Sequence, residues 1–328
     1  MPHNPSPGAQ DRGRPQEPPL AERPLFVVLN NGSGQQTGAP AGERICELLT
    51  RAGRSAKLLL ADKGQLDSVA REAVQRAGAQ HGIVVGAGGD GTLNTVAQAL
   101  QGSGIPFGVI PLGTFNYFAR NHGLPQNLEA ATRCLLDARV QPVHAGFLNG
   151  HIFLVNASLG LYPNLLEDRE SDKAQLGRSR LVALFSAIKT LARAHRVLDV
   201  DLDLEGRTRH LRTVSMVVGS NALQLEHIGV PLAAAVREGE LAAMLVRPMG
   251  KPSLYGLLLR GLVSRLGETE NLHCFSFSEL QVHRRRRRRI KVALDGEIRR
   301  LSLPLTFTAG RECLPLLLPR DPALLVRQ

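Results

Sequence analysis

Residues 81–100 read HGIVVGAGGDGTLNTVAQAL and carry the clearest structural signal in the chain. The short apolar run at residues 82–86 predicts a strand that is buried on both faces. Apolar residues then recur at helical spacing over residues 93–100, which predicts a helix. Between the two lies the glycine-rich stretch Gly88-Gly-Asp-Gly-Thr92. A strand that leads through such a turn into a helix is typical of α/β proteins.

The alternation of strand and helix continues on both sides of this unit. Further strands are predicted at residues 25–30, 57–60 and 107–110, and further helices at residues 41–52, 66–77 and 127–138. Strands that alternate with helices favour a mostly parallel, doubly wound sheet covered on both faces.

The pattern changes after about residue 140, where short segments alternate apolar with polar residues. Strands are predicted at residues 143–148, 151–158, 198–204, 211–219, 240–247, 272–282, 290–294 and 298–303. Helical insertions near residues 176–194 and 252–266 interrupt them. We therefore predict a disordered proline-rich tail at residues 1–24, an α/β domain at residues 25–142 and an antiparallel β-sandwich domain at residues 143–304.

Composition narrows the class of partner. The chain has 328 residues, 43% of them hydrophobic, and 40 Lys and Arg against 29 Asp and Glu give a formal net charge of +11. A basic balance favours anionic partners such as nucleotides or an acidic membrane surface. Nucleic acid is disfavoured because Trp is absent and Tyr occurs three times, which leaves few rings for base stacking. The four cysteines are widely spaced, and neither a secretory signal nor an apolar stretch long enough to span a bilayer is present, so we expect a cytoplasmic protein.

The glycine-rich turn has two interpretations. Glycines let backbone N–H groups approach a phosphate closely, and the following helix presents its positive end. Asp90 is the acid of the turn and could hold a water or Mg²⁺, or accept a hydrogen bond from a substrate hydroxyl. The alternative is a tight turn in which Asp90 caps the helix.

Two more small polar loops follow predicted strands. Residues 111–120 read PLGTFNYFAR and place Gly and Thr after the strand at 107–110, while Asn30-Asn-Gly-Ser-Gly34 follows the first strand. Because the carboxyl ends of parallel strands meet at one edge of the sheet, these loops predict a ligand-binding crevice there.

These segments carry a family resemblance. Five segments stand in the order and spacing of the diacylglycerol kinase catalytic-domain family, which includes bacterial lipid kinases and sphingosine kinases and is more distantly similar to NAD kinases. They are Asn30-x-Gly-Ser-Gly34, Gly88-Gly-Asp-Gly-Thr-Leu-Asn94, Gly108-x-Ile-Pro-Leu-Gly-Thr-x-Asn116, Asn156-x-Ser-x-Gly160 and Asp295-Gly-Glu297.

The resemblance implies an ATP- and Mg²⁺-dependent lipid kinase with its catalytic cleft between the two domains. The implied nucleotide-binding residues are Asn30, Gly88, Gly89, Asp90, Gly91, Thr92, Leu93, Asn94, Thr114 and Asn116, with Asp90 also a metal ligand. The implied catalytic residues are Asp295, Glu297 and Asp90. In this family the last residues return to the first domain, so we expect residues 305–328 to join it.

The segment Asp295-Gly-Glu297 would supply the general base for the acceptor hydroxyl. If it is extended, its two carboxylates point to one face, across Gly296. The alternative is a solvated Asp-Gly turn between two strands; the resemblance favours the acidic pair.

The chain also departs from the family pattern. Thr95 stands where these lipid kinases commonly carry Glu, and Tyr117 stands where they commonly carry an Asp of the metal–water network. The arrangement of Mg²⁺ is therefore open. The changes are consistent with a different acceptor or with weakened catalysis.

The most basic stretch is His283 followed by six arginines, Arg284 to Arg289. It favours attraction to anionic phospholipid, since a lipid acceptor must be taken from a membrane. The alternative is an edge strand or loop that charge keeps soluble. An insertion at residues 176–195 has apolar residues at helical spacing and is either a membrane-facing flap or core.

We therefore predict a kinase that transfers the γ-phosphate of ATP to a hydroxyl of a diacylglycerol-like lipid at the membrane surface, with a homodimer as a further expectation. The alternatives are an NAD kinase-like or other small-molecule kinase, and a nucleotide-binding regulatory protein that has lost turnover.

Overall fold

The computed structural model describes residues 18–31, 38–161, 163, 197–204, 206–250, 252–253, 256, 271–284 and 287–326. The strands are β1 (Leu25–Asn30), β2 (Ala56–Ala61), β3 (Ile83–Gly88), β4 (Phe107–Pro111), β5 (Ala138–Leu148), β6 (His151–Phe153), β7 (Asn156–Gly160), β8 (Leu198–Leu204), β9 (Arg207–Thr213), β10 (Ser215–Gly219), β11 (Leu241–Val246), β12 (Leu272–Phe277), β13 (Glu279–His283), β14 (Arg289–Leu294), β15 (Glu297–Ser302) and β16 (Leu305–Pro319). The helices are α1 (Ala39–Arg51), α2 (Leu66–Ala79), α3 (Asp90–Leu100), α4 (Tyr117–Asn121), α5 (Leu128–Cys134), α6 (Ala222–His227) and α7 (Ala233–Arg237), followed by a 3-10 turn at Pro322–Leu324.

The first four strands form a parallel sheet in the order β2-β1-β3-β4. Their residues are almost wholly apolar in β1, β3 and β4 because helices cover both faces. Helices α2 and α3 pack on one face and α1 and α5 on the other, each with its own apolar core. The predicted doubly wound α/β architecture is confirmed.

Strand β16 continues this sheet into the second half of the chain. It lies between β4 and β13 in a ten-stranded sheet that runs on through β8 to β9, and it also pairs along its length with β5. Leu316 stands opposite Phe107 of β4 in parallel register. A shift in register between Gly310 and Leu314 interrupts the ladder with β5. The carboxyl-terminal strand thus lies at the junction of the parallel and antiparallel parts.

A second, antiparallel sheet of six strands has the order β12-β11-β10-β7-β14-β15. It packs on the antiparallel part of the large sheet through a core that includes Phe153, Met216, Leu280, Val292 and Phe307. Helices α6 and α7 cover part of its outer face. The predicted β-sandwich is therefore present, although one of its layers is continuous with the parallel sheet. The domain boundaries themselves stay a prediction.

Several predicted element boundaries are wrong. The strand expected at residues 272–282 is two strands, β12 and β13, which separate at Ser278 and enter different sheets. The strand expected at 211–219 is likewise divided between β9 and β10. The helix expected at 127–138 ends at Cys134, because β5 already begins at Ala138 to pair with β16.

The helical insertions predicted near residues 176–194 and 252–266 fall outside the described residues, apart from 252–253 and 256. Within the described ranges, the helices are all too short or too polar to cross a bilayer.

Candidate functional site

The two glycine loops meet at the carboxyl edge of the parallel sheet. Gly88 at the end of β3 stands opposite Pro111 at the end of β4, and the loops that follow are in direct contact. A Cβ atom on Gly113 would lie 2.5 Å from the Cα of Gly89, closer than any real contact. The approach of the loops therefore depends on glycine at position 113, while a Cβ on Gly89 would make a tight contact of 3.2 Å with the Cα of Gly113.

The start of α3 is open to a ligand. A Cβ atom built on Gly91, in the first turn of this 11-residue helix, would have no atom within 4 Å. The first N–H groups of a helix have no partner inside the helix and carry a partial positive charge. The backbone at Gly91 therefore fits an anionic group such as a phosphate.

Asp90 joins the two loops. Its carboxylate accepts hydrogen bonds from the backbone N–H groups of Tyr117, at 3.1 Å, and Phe118, at 3.0 Å, and so caps the start of α4. Burial raises the pKa of Asp90, while these backbone donors act in the opposite direction. The backbone N–H groups of Asn116 and of Asp90 itself also lower this pKa, so four backbone donors lie around the carboxylate. The predicted cap is thus real, but it serves α4.

Three of the predicted nucleotide contacts face the protein. Thr92 is 4% exposed and fills the space beside Gly88, where a Cβ would lie 2.6 Å from the threonine side chain. Leu93 is fully buried in the core under the sheet. The side-chain amide of Asn94 donates to the carbonyl oxygen of Ile152 at 2.9 Å and to Asp295 at 2.8 Å. These side chains hold α3 in place, and apart from the side chain of Asp90 the atoms of α3 left for a ligand belong to its backbone.

The second loop exposes Thr114 and buries Asn116. Asn116 has a left-handed backbone with φ of 50°. Its side chain exchanges hydrogen bonds with the backbone of Gly113, at 2.9 Å and 3.0 Å, and donates to Gln126. Asn116 therefore shapes the loop, whereas Thr114 is free to reach a ligand. Asn30 lies at the end of β1, at the same edge of the sheet.

Asp295 occupies the junction between the two halves of the fold. It accepts hydrogen bonds from the N–H groups of Leu154 (2.7 Å), Val155 (2.9 Å) and Asn156 (2.9 Å), and from Asn94. Each oxygen thus accepts two bonds, so the acceptor positions of the carboxylate are filled. Burial raises the pKa of Asp295 to about 6, and the charge of Asp90 adds to this effect, while the backbone donors oppose it. The arrangement suits an anchor better than a base.

The expected geometry of Asp295-Gly-Glu297 is wrong. The segment is not extended, because Asp295 and Gly296 have φ values of 45° and 90° and form the two-residue turn between β14 and β15. Glu297 is exposed at the start of β15, where it pairs with Arg299 at 3.1 Å. The turn interpretation is therefore right about the backbone, but Asp295 is hydrogen-bonded rather than solvated. The contact with Arg299 engages one oxygen of the Glu297 carboxylate.

A second set of contacts between the halves was not predictable from the sequence. Asn221, before α6, donates to the carbonyl oxygen of Tyr117 at 3.0 Å, and the N–H of Leu223 donates to Asn121 at 3.1 Å. These contacts fix α4, and with it the second loop, against the sandwich. Residues more than 100 positions apart take part, and lone asparagines in loops do not reveal such partners.

The described residues contain no cluster of three or more His, Cys, Asp or Glu side chains arranged to hold a metal ion. Asp90 alone can still contribute, because Mg²⁺ in phosphoryl-transfer sites is held by one or two carboxylates together with the phosphates and waters.

Comparison with known proteins agrees with this geometry. Residues 24–148 match the family model of the diacylglycerol kinase catalytic domain. A "probable lipid kinase YegS-like" of Klebsiella pneumoniae (strain 342) is 31% identical over 140 residues, which cover 42% of this chain and 46% of the relative. A "probable lipid kinase YegS" of Escherichia coli O6:K15:H31 (strain 536 / UPEC) is 28% identical over 207 residues, 61% of this chain and 66% of the relative. The first of these matches spans about half the length of the relative.

Solved structures show that the similarity of fold covers nearly the whole chain. A crystal structure of a diacylglycerol kinase from Bacillus anthracis str. Sterne superposes with a TM-score of 0.69 at 18% identity, covering 92% of this chain and 99% of that one. The predicted two-domain architecture is thereby confirmed beyond the segment that the family model matches.

Proposed function

Because residues 24–148 carry the diacylglycerol kinase catalytic domain, we propose that this protein is an ATP-dependent lipid kinase. It transfers the γ-phosphate of ATP to a hydroxyl group of a diacylglycerol-like lipid. The observation that carries the proposal is the open backbone at Gly91, at the start of α3, with Asp90 beside it.

The chain's own groups have distinct roles in this reaction. The N–H groups at the start of α3 bind the phosphates, and the Gly89–Gly113 contact keeps the second loop, with Thr114, beside them. Mg²⁺ supplies charge neutralisation when bound, and Asp90 is placed to hold it. Phosphoryl transfer needs little more than such positioning and electrostatic stabilisation.

The hydroxyl group of the lipid gives up a proton when it receives the phosphate, so a nearby base must take that proton. Asp295 accepts four hydrogen bonds of 2.7–2.9 Å, whereas Asp90 accepts two longer ones, from Tyr117 at 3.1 Å and Phe118 at 3.0 Å, and Glu297 bonds only one oxygen to Arg299. We therefore assign proton acceptance to Asp90 or Glu297 and give Asp295 the task of holding the two halves in register.

An acceptor panel tests the proposal. The purified chain is supplied with ATP labelled at the γ-phosphate, Mg²⁺ and, separately, dioleoylglycerol, sphingosine and NAD. We expect label in the dioleoylglycerol product. Label in NAD alone would instead identify a soluble-acceptor kinase.

A second candidate is a nucleotide-binding regulatory protein without turnover. The specific observation in its favour is that Thr95 and Tyr117 stand at positions where acids are expected, so Asp90 is left without a neighbouring metal ligand in the described part of the chain. ATP binding measured by calorimetry, together with no transfer to any acceptor of the panel, would support this candidate.

The acceptor is reached at a membrane surface in this proposal. Arg287, Arg288 and Arg289 are exposed, and basic residues near an acidic leaflet each contribute about 1 kcal/mol of attraction. Arg285 and Arg286 lie outside the described residues. Cosedimentation with vesicles should therefore rise with the fraction of phosphatidylglycerol and fall when these arginines are changed to glutamine. Binding that is independent of lipid charge would exclude this role.

A further inference from the structure

Three aromatic rings lie together beside the second glycine loop. The rings of Phe115 and Tyr117 are stacked nearly parallel, with centroids 5.8 Å apart and an angle of 7° between their planes. The ring of His227, at the end of α6, lies 6.0 Å from that of Tyr117. The cluster therefore draws on both halves of the fold.

Phe115 presents most of its ring to solvent. Its side chain is 53% exposed, so Tyr117 covers only part of its surface. A single exposed aromatic residue is not unusual in itself. Here, however, the ring follows directly on Thr114, which is exposed in the second glycine loop.

Backbone hydrogen bonds of Tyr117 connect the cluster to Asp90 and to the sandwich. The N–H of Tyr117 donates to Asp90 at 3.1 Å, and its carbonyl oxygen accepts from Asn221 at 3.0 Å. The exposed ring of Phe115 is thus two residues from the backbone N–H group that bonds to Asp90, a separation of about 7 Å along the chain at most. A molecule whose apolar part lies on Phe115 would have its polar end near that carboxylate.

We propose that Phe115, supported by Tyr117 and His227, contacts the apolar part of the acceptor lipid next to its reactive hydroxyl. The inference rests on the proposed function and deepens it, because it assigns the contact that selects an amphipathic alcohol over a polar one. The ring of Phe115 carries no polar group and offers a purely apolar surface, which suits an acyl chain or glyceride. A nucleobase would also stack on such a ring, and the KM for ATP in the test below distinguishes the two ligands.

The test compares Phe115→Ser with Phe115→Leu, and uses Val140→Ser as a control because Val140 is an exposed apolar side chain, 40% exposed, on β5. The apparent KM is measured for dioleoylglycerol in mixed micelles and for ATP. We expect Phe115→Ser to raise the acceptor KM about tenfold, through loss of part of the transfer free energy of an aromatic side chain. The ATP KM should stay unchanged, and Phe115→Leu and Val140→Ser should behave as the wild type.

Two results would overturn the inference. A rise in the ATP KM, with the acceptor KM unchanged, would show that the ring contacts the nucleotide. If Phe115→Ser has the wild-type KM for both dioleoylglycerol and ATP, the ring of Phe115 contacts neither substrate.

Binding without ATP separates this inference from the proposed function. Cosedimentation with phosphatidylcholine vesicles that contain dioleoylglycerol does not require turnover. If the wild type phosphorylates no lipid but binds these vesicles, and Phe115→Ser lowers that binding, the proposed kinase activity is refuted. The proposed contact between Phe115 and the lipid then still stands. Equal binding of the wild type and Phe115→Ser to these vesicles would refute the contact between Phe115 and the lipid, whether or not the protein is an active kinase.

Discussion

At the scale of single residues, Asp295 shows how hydrogen bonding decides a role that the motif leaves open. A segment Asp-Gly-Glu between two strands predicts a tight turn, and the backbone forms one. The sequence could not reveal that the N–H groups of residues 154–156 and the amide of Asn94 converge on this carboxylate. An acid that is bonded in this way positions its neighbours.

Asp295→Asn should therefore destabilise the fold. An amide nitrogen would face two N–H donors, and each buried donor left without an acceptor costs about 1–3 kcal/mol. We expect the free energy of unfolding, from urea titration followed by circular dichroism, to fall by roughly 2–4 kcal/mol. Glu297→Gln is the control, because Glu297 is exposed and should change stability little. Equal stability of Asp295→Asn and the wild type would contradict the anchoring role.

His122 predicts a pH dependence of stability. Burial, with a further contribution from His144, lowers the pKa of His122 to about 4, whereas the unfolded chain keeps a value near 6.5. Between these values the unfolded state binds more protons, so stability is present above pH 6.5 and lost as the pH falls towards 4, by up to about 3 kcal/mol. His122→Phe should preserve the edge contact with Phe118 and flatten this slope in urea unfolding curves measured from pH 7 to 4.5. An unchanged slope would assign the acid sensitivity to other groups.

At the scale of elements, strands β1, β3 and β4 and helices α1 to α3 were predictable because their apolar patterns are local. The buried strands are continuous apolar runs, and the helices show one apolar stripe each. The breaks between β9 and β10 and between β12 and β13 were not predictable. The polar pair Ser278-Glu279 interrupts the alternation of apolar and polar residues, but only the pairing of β12 with β11 and of β13 with β16 places the two strands in different sheets.

Strand β16 is the element on which both halves depend. It pairs with β4, β5 and β13, and its side chains enter the core of the parallel part as well as that of the sandwich. A chain truncated after Pro304 should lose cooperative unfolding in thermal melts followed by circular dichroism. A chain that begins at Pro18 keeps every described contact and should melt as the full protein does. A cooperative transition in the first truncation would show that β16 is dispensable.

At the scale of the whole molecule, the site depends on contacts between distant segments. Asn94 and Asp295 are 201 positions apart, and Asn221 and Tyr117 are 104 apart. The sequence located the crevice, because three loops follow parallel strands, and it located Asp90. It could not distinguish residues that line the crevice, such as Gly91 and Thr114, from residues that support it, such as Leu93 and Asn116. That distinction depends on burial, which arises only when the halves come together.

The central claim is that the open backbone at Gly91 binds the phosphates of ATP for transfer to a lipid. The most direct measurement is the rate of transfer of labelled γ-phosphate to dioleoylglycerol by the wild type, Gly91→Ala and Gly78→Ala. Both glycines lie in helices with room for a methyl group, since a Cβ on Gly78 meets only Ile105, at 3.8 Å. We expect Gly91→Ala to lower kcat/KM for ATP by about 10²-fold, because the added methyl group would stand in the open space beside the start of α3 and displace the phosphates, and Gly78→Ala to match the wild type. Equal rates for Gly91→Ala and the wild type, or no labelled lipid from any of the three, would contradict the account.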